Sequence, residues 1–241
     1  MIFALLMTPL LVGLGVWQLN RGDEKKALIK QQAEGRQEQH IELTDLNTVD
    51  WHDSAAAEQW NYKNVDTRGR FDRKVYLLLD NRTRNGHVGY EVINLFRTDN
   101  GQAVWVNRGW VKAPLYRDQW PDIEPVLGDV EITGSVYYKN TQAFTLADNP
   151  TTLQWPKRIQ ALDMTGLMAE LKQDIYPFTL RLIDDEQPGA LKTGWRVSIM
   201  SSDKHFGYAV QWFSLAFVLV VMTAIAIKKN NTTEVEKTHD S

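Results

Sequence analysis

Lys204 and His205 stand at the mouth of an uncharged run, Phe206 to Ile227, whose first turns hold Tyr208, Gln211 and Trp212. A neutral imidazole offers one ring nitrogen as a ligand to a metal or a haem iron, and its other nitrogen sets the tautomer. On a helix of 100° per residue, His205, Ala209, Trp212 and Ala216 share one stripe with Tyr208 at its edge. Gly207, Gln211 and Ser214 lie nearly opposite. The small, polar face is expected to receive another helix, with Gln211 bonding Gln18 at a similar depth. The His205 face is then open to a flat aromatic ligand, with Tyr208 and Trp212 as walls. The same residues also suit an ordinary interfacial aromatic belt, and on spacing alone that reading is the simpler one.

A second constellation is Val106-Asn107-Arg108-Gly109-Trp110-Val111. Glycine inside a strand marks a bulge or a close backbone approach. Arg108 and Trp110 fit a partner-binding surface, because Arg and Trp carry disproportionate binding energy. They also fit a buried Arg satisfying loop carbonyls beneath a core Trp, and that reading is the simpler one. Enzyme chemistry finds little support. The five histidines (His40, His52, His87, His205, His239) lack metal-ligand spacing, and there is no HExxH, no Gly-x-Ser-x-Gly and no glycine-rich phosphate loop. Asp184-Asp185-Glu186 precedes Pro188-Gly189 and reads as a solvated turn.

The elements that position these residues follow from hydropathy. Residues 206–227 form 22 uncharged positions, roughly 33 Å of helix, enough to cross a hydrocarbon core of about 30 Å. Residues 1–19 are also uncharged and reach roughly 28 Å. A cleaved signal peptide would want a basic start and a small-residue cleavage site, and the run Gly15-Val16-Trp17-Gln18-Leu19-Asn20-Arg21 offers neither. The missing basic lead also suggests a natural start further upstream. Two spans put both termini on one side, and Lys228-Lys229 marks that side as cytoplasmic. The expected organisation is a membrane helix over 1–19, a helical stalk over 20–36, an exported domain over 37–204, a second membrane helix over 206–227 and a disordered tail over 228–241.

All 27 basic and 30 acidic residues lie outside the two apolar runs, and the chain's net charge is only -3. That balance removes the electrostatic support for nucleic-acid binding. With no cysteine, disulfides, thiolate metal sites and c-type haem attachment are excluded together. Strand-like segments run over 64–72, 74–81, 88–98, 102–111 and 129–138, with further ones at 158–162 and 178–184 around a helix at 163–172. Asp99-Asn100-Gly101 is a hairpin signal, and Asp163 is a candidate helix N-cap. The expected fold is membrane α+β: two transmembrane helices flanking a mostly antiparallel, curled-sheet or barrel-like domain.

Several motifs in order resemble the surfeit locus protein 1 (Shy1-like) family of cytochrome c oxidase assembly factors. They are Gly15 to Arg21 with Lys25 and Leu28-Ile29, Arg68-Gly69-Arg70-Phe71-Asp72, Asn81-Arg82, Gly89-Tyr90, Val106 to Val111, and Lys204 to Phe213. Two features depart from the pattern: the first span lacks the usual lead-in residues, and Asn94-Leu95-Phe96 stands in place of a Thr-Pro turn. The resemblance implies an integral membrane protein, and the expected location is a bacterial inner membrane with the main domain facing the periplasm, or the mitochondrial equivalent. Its implied role is delivery of haem a to the large subunit of cytochrome c oxidase, alongside other assembly factors, with His205 as haem ligand. A scaffold that holds oxidase subunits without binding haem is the alternative.

Overall fold

A computed structural model of the chain describes residues 2–37, 40–139, 154–195 and 201–239. It forms two compact units, one made of the two terminal helices up to Gln31 and from Arg196, the other of residues 32–195. Helix α1 spans Ile2–Gln37 and helix α4 spans Ser202–His239. Both are long and apolar enough to cross a membrane. Helix α4 runs past the second apolar run to His239, where the polar composition predicts a disordered tail. The extension contains no Gly or Pro, so nothing in it breaks the helix.

The second unit is built from β1 (Ile41–Glu42), a 3-10 helix (Leu43–Thr48), α2 (Ser54–Glu58), β2 (Asn64–Arg84), β3 (His87–Thr98), β4 (Ala103–Lys112), β5 (Val130–Tyr137), β6 (Lys157–Ile159), α3 (Met164–Leu171) and β7 (Ile175–Leu182). The pairings β2–β3, β3–β4, β4–β7, β7–β5 and β5–β2 return to their start, so the sheet curls into a closed five-stranded ring. The short β1 and β6 add to β2 in parallel. Closure removes the free edges that an open sheet of this length would expose. Four of the ring's five pairings are antiparallel, and β4–β7 is parallel because the chain returns through α3 before β7.

Alternation along the strands gives the ring two buried faces. One holds Val65, Phe71, Phe96, Val104, Val106, Ile132, Phe178, Leu180 and Leu182. The other holds Leu77, Ile93, Leu95 and Trp105 beneath Leu167, Met164 and Met168 of α3. Each such side chain contributes about 1.5–3 kcal/mol on burial. Helix α3 is set by its ends: the Asp163 carboxylate accepts from the Gly166 N–H at 3.1 Å, and Lys172 closes the helix at φ 49°. Lys157, 3 % exposed, ties it down through Glu170 at 2.5 and 2.6 Å.

Where the sequence suggests two strands, 64–72 and 74–81, there is one long strand with an irregularity between Phe71 and Tyr76. Asp72 makes this possible. Its carboxylate accepts from the N–H groups of Lys74 and Val75, both at 3.0 Å, while Asn94 Nδ2 donates to the Asp72 carbonyl at 2.9 Å. Burial pushes the Asp72 carboxyl up, but these N–H donors and Arg97 together outweigh it and hold it below the usual value of 3.8. Asp185 is also held low, chiefly by the Thr193 hydroxyl and N–H. A carboxylate depressed on folding stabilises the fold above its unfolded value and loses that contribution as pH falls through its folded one. Thermal melts are therefore expected to be flat from pH 7 to pH 5 and to drop below about pH 4. In Asp72→Asn this acid limb should be shallower.

Candidate functional site

Helices α1 and α4 pack antiparallel along a seam with a seven-residue beat. The Phe213 ring fills the hollow at Gly15 and the Phe206 ring fills the hollow at Gly22, where an added Cβ would come within 2.6 Å of each ring. Ala209, between these rings, and Ala216, one turn beyond, are 1 % and 5 % exposed and let the backbones approach. Knobs repeating every seventh residue keep two helices in register over their length. In the same seam the Nδ1 atom of His205 meets the Oε1 atom of Gln18 at 2.8 Å.

This reverses the faces expected from the sequence. The stripe of His205, Ala209 and Ala216 is turned onto α1, with Trp212 partly buried beside it, while Gly207, Gln211 and Ser214 point outward. Gln18 pairs with His205, not with Gln211. Small residues occur on both faces of α4, so its own sequence does not decide. The two ring-sized hollows on α1, a Gly15 and Gly22 spacing that matches Phe206 and Phe213, do. Tyr208 sits at the stripe's edge, 44 % exposed.

The pairing has a chemical consequence. Gln18 Oε1 can only accept, so in a neutral imidazole paired this way Nδ1 carries the proton and Nε2 keeps its lone pair. Ligating histidines are held in this way, the second ring nitrogen donating to a carbonyl or carboxylate. Among the described residues no three His, Cys, Asp or Glu side chains converge. A single oriented imidazole of this kind fits a haem iron, which takes only one or two axial protein donors.

Arg108 lies elsewhere, within the strand ring. Val92 pairs with Gly109 and Ile93 with Asn107, so Arg108 is the extra residue of a bulge, and Gly109 takes φ 122° to accommodate it. The bulge turns the side chain inward, leaving it 4 % exposed. Its Nε donates to the Gly189 carbonyl at 2.5 Å, Nη1 to Asn94 Oδ1 at 3.1 Å and Nη2 to the Glu124 carbonyl at 3.1 Å, and its carbon centre lies 5.5 Å from the centre of the Phe71 ring. Burial pulls its pKa down to about 10, with Tyr76 opposing. Arg108 is thus no partner-binding surface group; it satisfies loop carbonyls from inside. Trp110 is partly exposed, its indole N–H donates to the Arg82 carbonyl at 2.8 Å, and its ring covers Gly89.

The residue that sequence reading missed is Asn94. It is 2 % exposed and joins the β2 irregularity to Arg108. A buried amide in an apolar strand, Val92 to Phe96, was the available signal.

The chain is 26 % identical over 236 residues to Surfeit locus protein 1 of Takifugu rubripes, covering 88 % of the chain and 90 % of that protein. It is 25 % identical over 245 residues to a SURF1-like protein of Monosiga brevicollis, covering 94 % and 87 %. Over 99 residues it is 31 % identical to the Cytochrome oxidase assembly protein SHY1 of Saccharomyces cerevisiae, 41 % of the chain and 24 % of that protein. The match to the SURF1 family spans residues 5–217, from the first apolar helix to the middle of the last, and on this ground the chain belongs to the SURF1 family.

Proposed function

We propose that this protein is an integral membrane assembly factor for haem-copper oxidase, and that it presents haem a for insertion into the large catalytic subunit with His205 as an axial ligand. The assembly role is supported by family membership and by the name of the yeast relative. The haem role rests on one observation, the Gln18–His205 hydrogen bond, which in the neutral imidazole leaves the Nε2 lone pair for an iron at the end of a candidate membrane span. Haem supplies the iron and the redox-active ring. The chain's part is to fix the imidazole, hold it between two packed helices and keep it near the bilayer surface. Lys228-Lys229 supports an orientation with both termini on the cytoplasmic side and the sheet domain on the outer side, which in a bacterial inner membrane is the periplasm. No catalytic step is assigned to the chain itself.

A scaffold role without haem is favoured by one feature. The loop between β4 and β5 exposes Leu115 (86 %), Tyr116 (61 %) and Trp120 (47 %), yet it is pinned by Arg117 to Asp80 at 2.6 Å and by Arg158, which donates to the Gln119 carbonyl. A held, apolar loop is suited to subunit contact.

The two readings separate in an absorbance spectrum. Full-length protein purified in detergent from haem a-producing cells is expected to carry a haem band that His205→Ala abolishes while its circular dichroism is unchanged. A colourless wild-type protein would overturn the haem reading and leave the scaffold.

A further inference from the structure

An arc of cationic and aromatic side chains surrounds the segment Lys192 to Trp195 on the strand ring. Arg181 of β7 packs against two rings, its carbon centre 3.4 Å from the centre of Tyr137 and 5.0 Å from that of Trp195. Its Nε is shut from solvent and has no hydrogen-bond partner, and it forms no ion pair among the described residues. Trp195 is fixed from both sides, donating its indole N–H to the Leu182 carbonyl at 2.8 Å and accepting from Gln32 Nε2 at 3.3 Å through its carbonyl. Arg84 reaches the same segment and spends its charge on the carbonyls of Lys192 and Thr193, not on a carboxylate.

The local charge does not cancel. Against Arg82, Arg84 and Arg181 stands Glu91, which accepts from Asn107 Nδ2 at 2.7 Å and lies 3.7 Å from Arg82 Nε. Asp185 is taken by Lys192 and Thr193. Burial lowers the Arg181 pKa, with Tyr137, Glu91 and Tyr62 opposing. A desolvated guanidinium packed against rings still has its in-plane N–H edge, the edge that grips a carboxylate or phosphate bidentately. Ring walls beside a cation suit an amphiphile better than a bare ion, because apolar contact and charge are met together.

We propose that Arg181, walled by Tyr137 and Trp195 and backed by Arg84, is a receiving site for the oxyanion of an amphiphile, the carboxylate or the phosphate being gripped by the guanidinium edge. Two sources carry this chemistry in a membrane: the propionates of a haem and the phosphate of an anionic lipid.

Full-length protein in phosphatidylcholine nanodiscs distinguishes them. Haemin is titrated against its dimethyl ester, and phosphatidylglycerol retention is compared with that of phosphatidylcholine by native mass spectrometry. In Arg181→Gln, affinity for one of the two anionic probes is expected to fall about tenfold or more, the neutral counterpart being unaffected, since such an edge-on pair is worth at least that factor. Arg181→Lys should recover only part, for want of the fork. A loss confined to haemin assigns the carboxylate, and one confined to phosphatidylglycerol assigns the phosphate. The lipid arm does not involve His205, so it reports on Arg181 even if haem is not bound. Arg84→Gln, which leaves the ring contacts in place, covers the case in which Arg181→Gln melts early. Wild-type affinity for both anionic probes in the two glutamine variants, or an equal loss for the neutral ones, overturns the proposal.

Discussion

Replacing Arg108 by alanine is expected to cost about 3–5 kcal/mol, the range for stripping one partner from a buried, hydrogen-bonded charge. Three acceptors, Gly189 O, Asn94 Oδ1 and Glu124 O, lose their donor together. They belong to β3, to the β4–β5 loop and to the turn after β7, so the loss is shared by three parts of the ring. For a domain of this size that corresponds to roughly 6–20 °C in Tm, read as loss of near-ultraviolet circular dichroism in the detergent-solubilised full chain. Arg108→Lys should keep little of the lost stability, because one ammonium cannot reach three acceptors in different directions. Arg108→Met tests which term matters. If the guanidinium's burial were the dominant penalty, Met would be neutral or stabilising, whereas dominance of the three hydrogen bonds predicts a loss close to that of Ala.

The reach of the sequence can be judged from such residues. The hairpin at Asp99-Asn100-Gly101 was legible because its cause is local: Gly101 sits at φ 81° and its N–H returns to the Thr98 carbonyl at 3.0 Å. The Asp163 cap was legible for the same reason. Gly109 announced the bulge, and the bulge explains why Arg108 is inside. By contrast, the parallel pairing of Asn107 with Arg181 joins residues far apart in the chain and has no local signature. The Arg181 site was hidden with it, since its ring walls come from β5 and from the end of the domain. The helix seam was half legible. Length and charge identify two helices able to span a membrane, but which face of α4 meets α1 depends on hollows in another helix.

The seam also makes the role of Gln18 testable apart from that of His205. If Gln18 holds the imidazole with Nδ1 protonated, Gln18→Leu should leave the helix pair intact, because leucine fills similar space between Phe206 and Phe213, but it frees the ring to rotate and to exchange tautomers. Loss of an outer partner of this kind typically costs 10–100-fold in affinity, so haemin titration should show that weakening with an unchanged melting temperature and a band that is still present at saturation. Gln18→Glu keeps an acceptor at the same reach and should bind within a few-fold of wild type, whereas His205→Ala should show no histidine-ligated band at any concentration tested. This order, Glu near wild type, then Leu, then the His205 variant, follows from the geometry only if Nε2 is the ligating atom. Equal affinity in Gln18→Leu and wild type would mean that the hydrogen bond serves helix packing alone, and that the imidazole at the mouth of α4 is held for a different purpose.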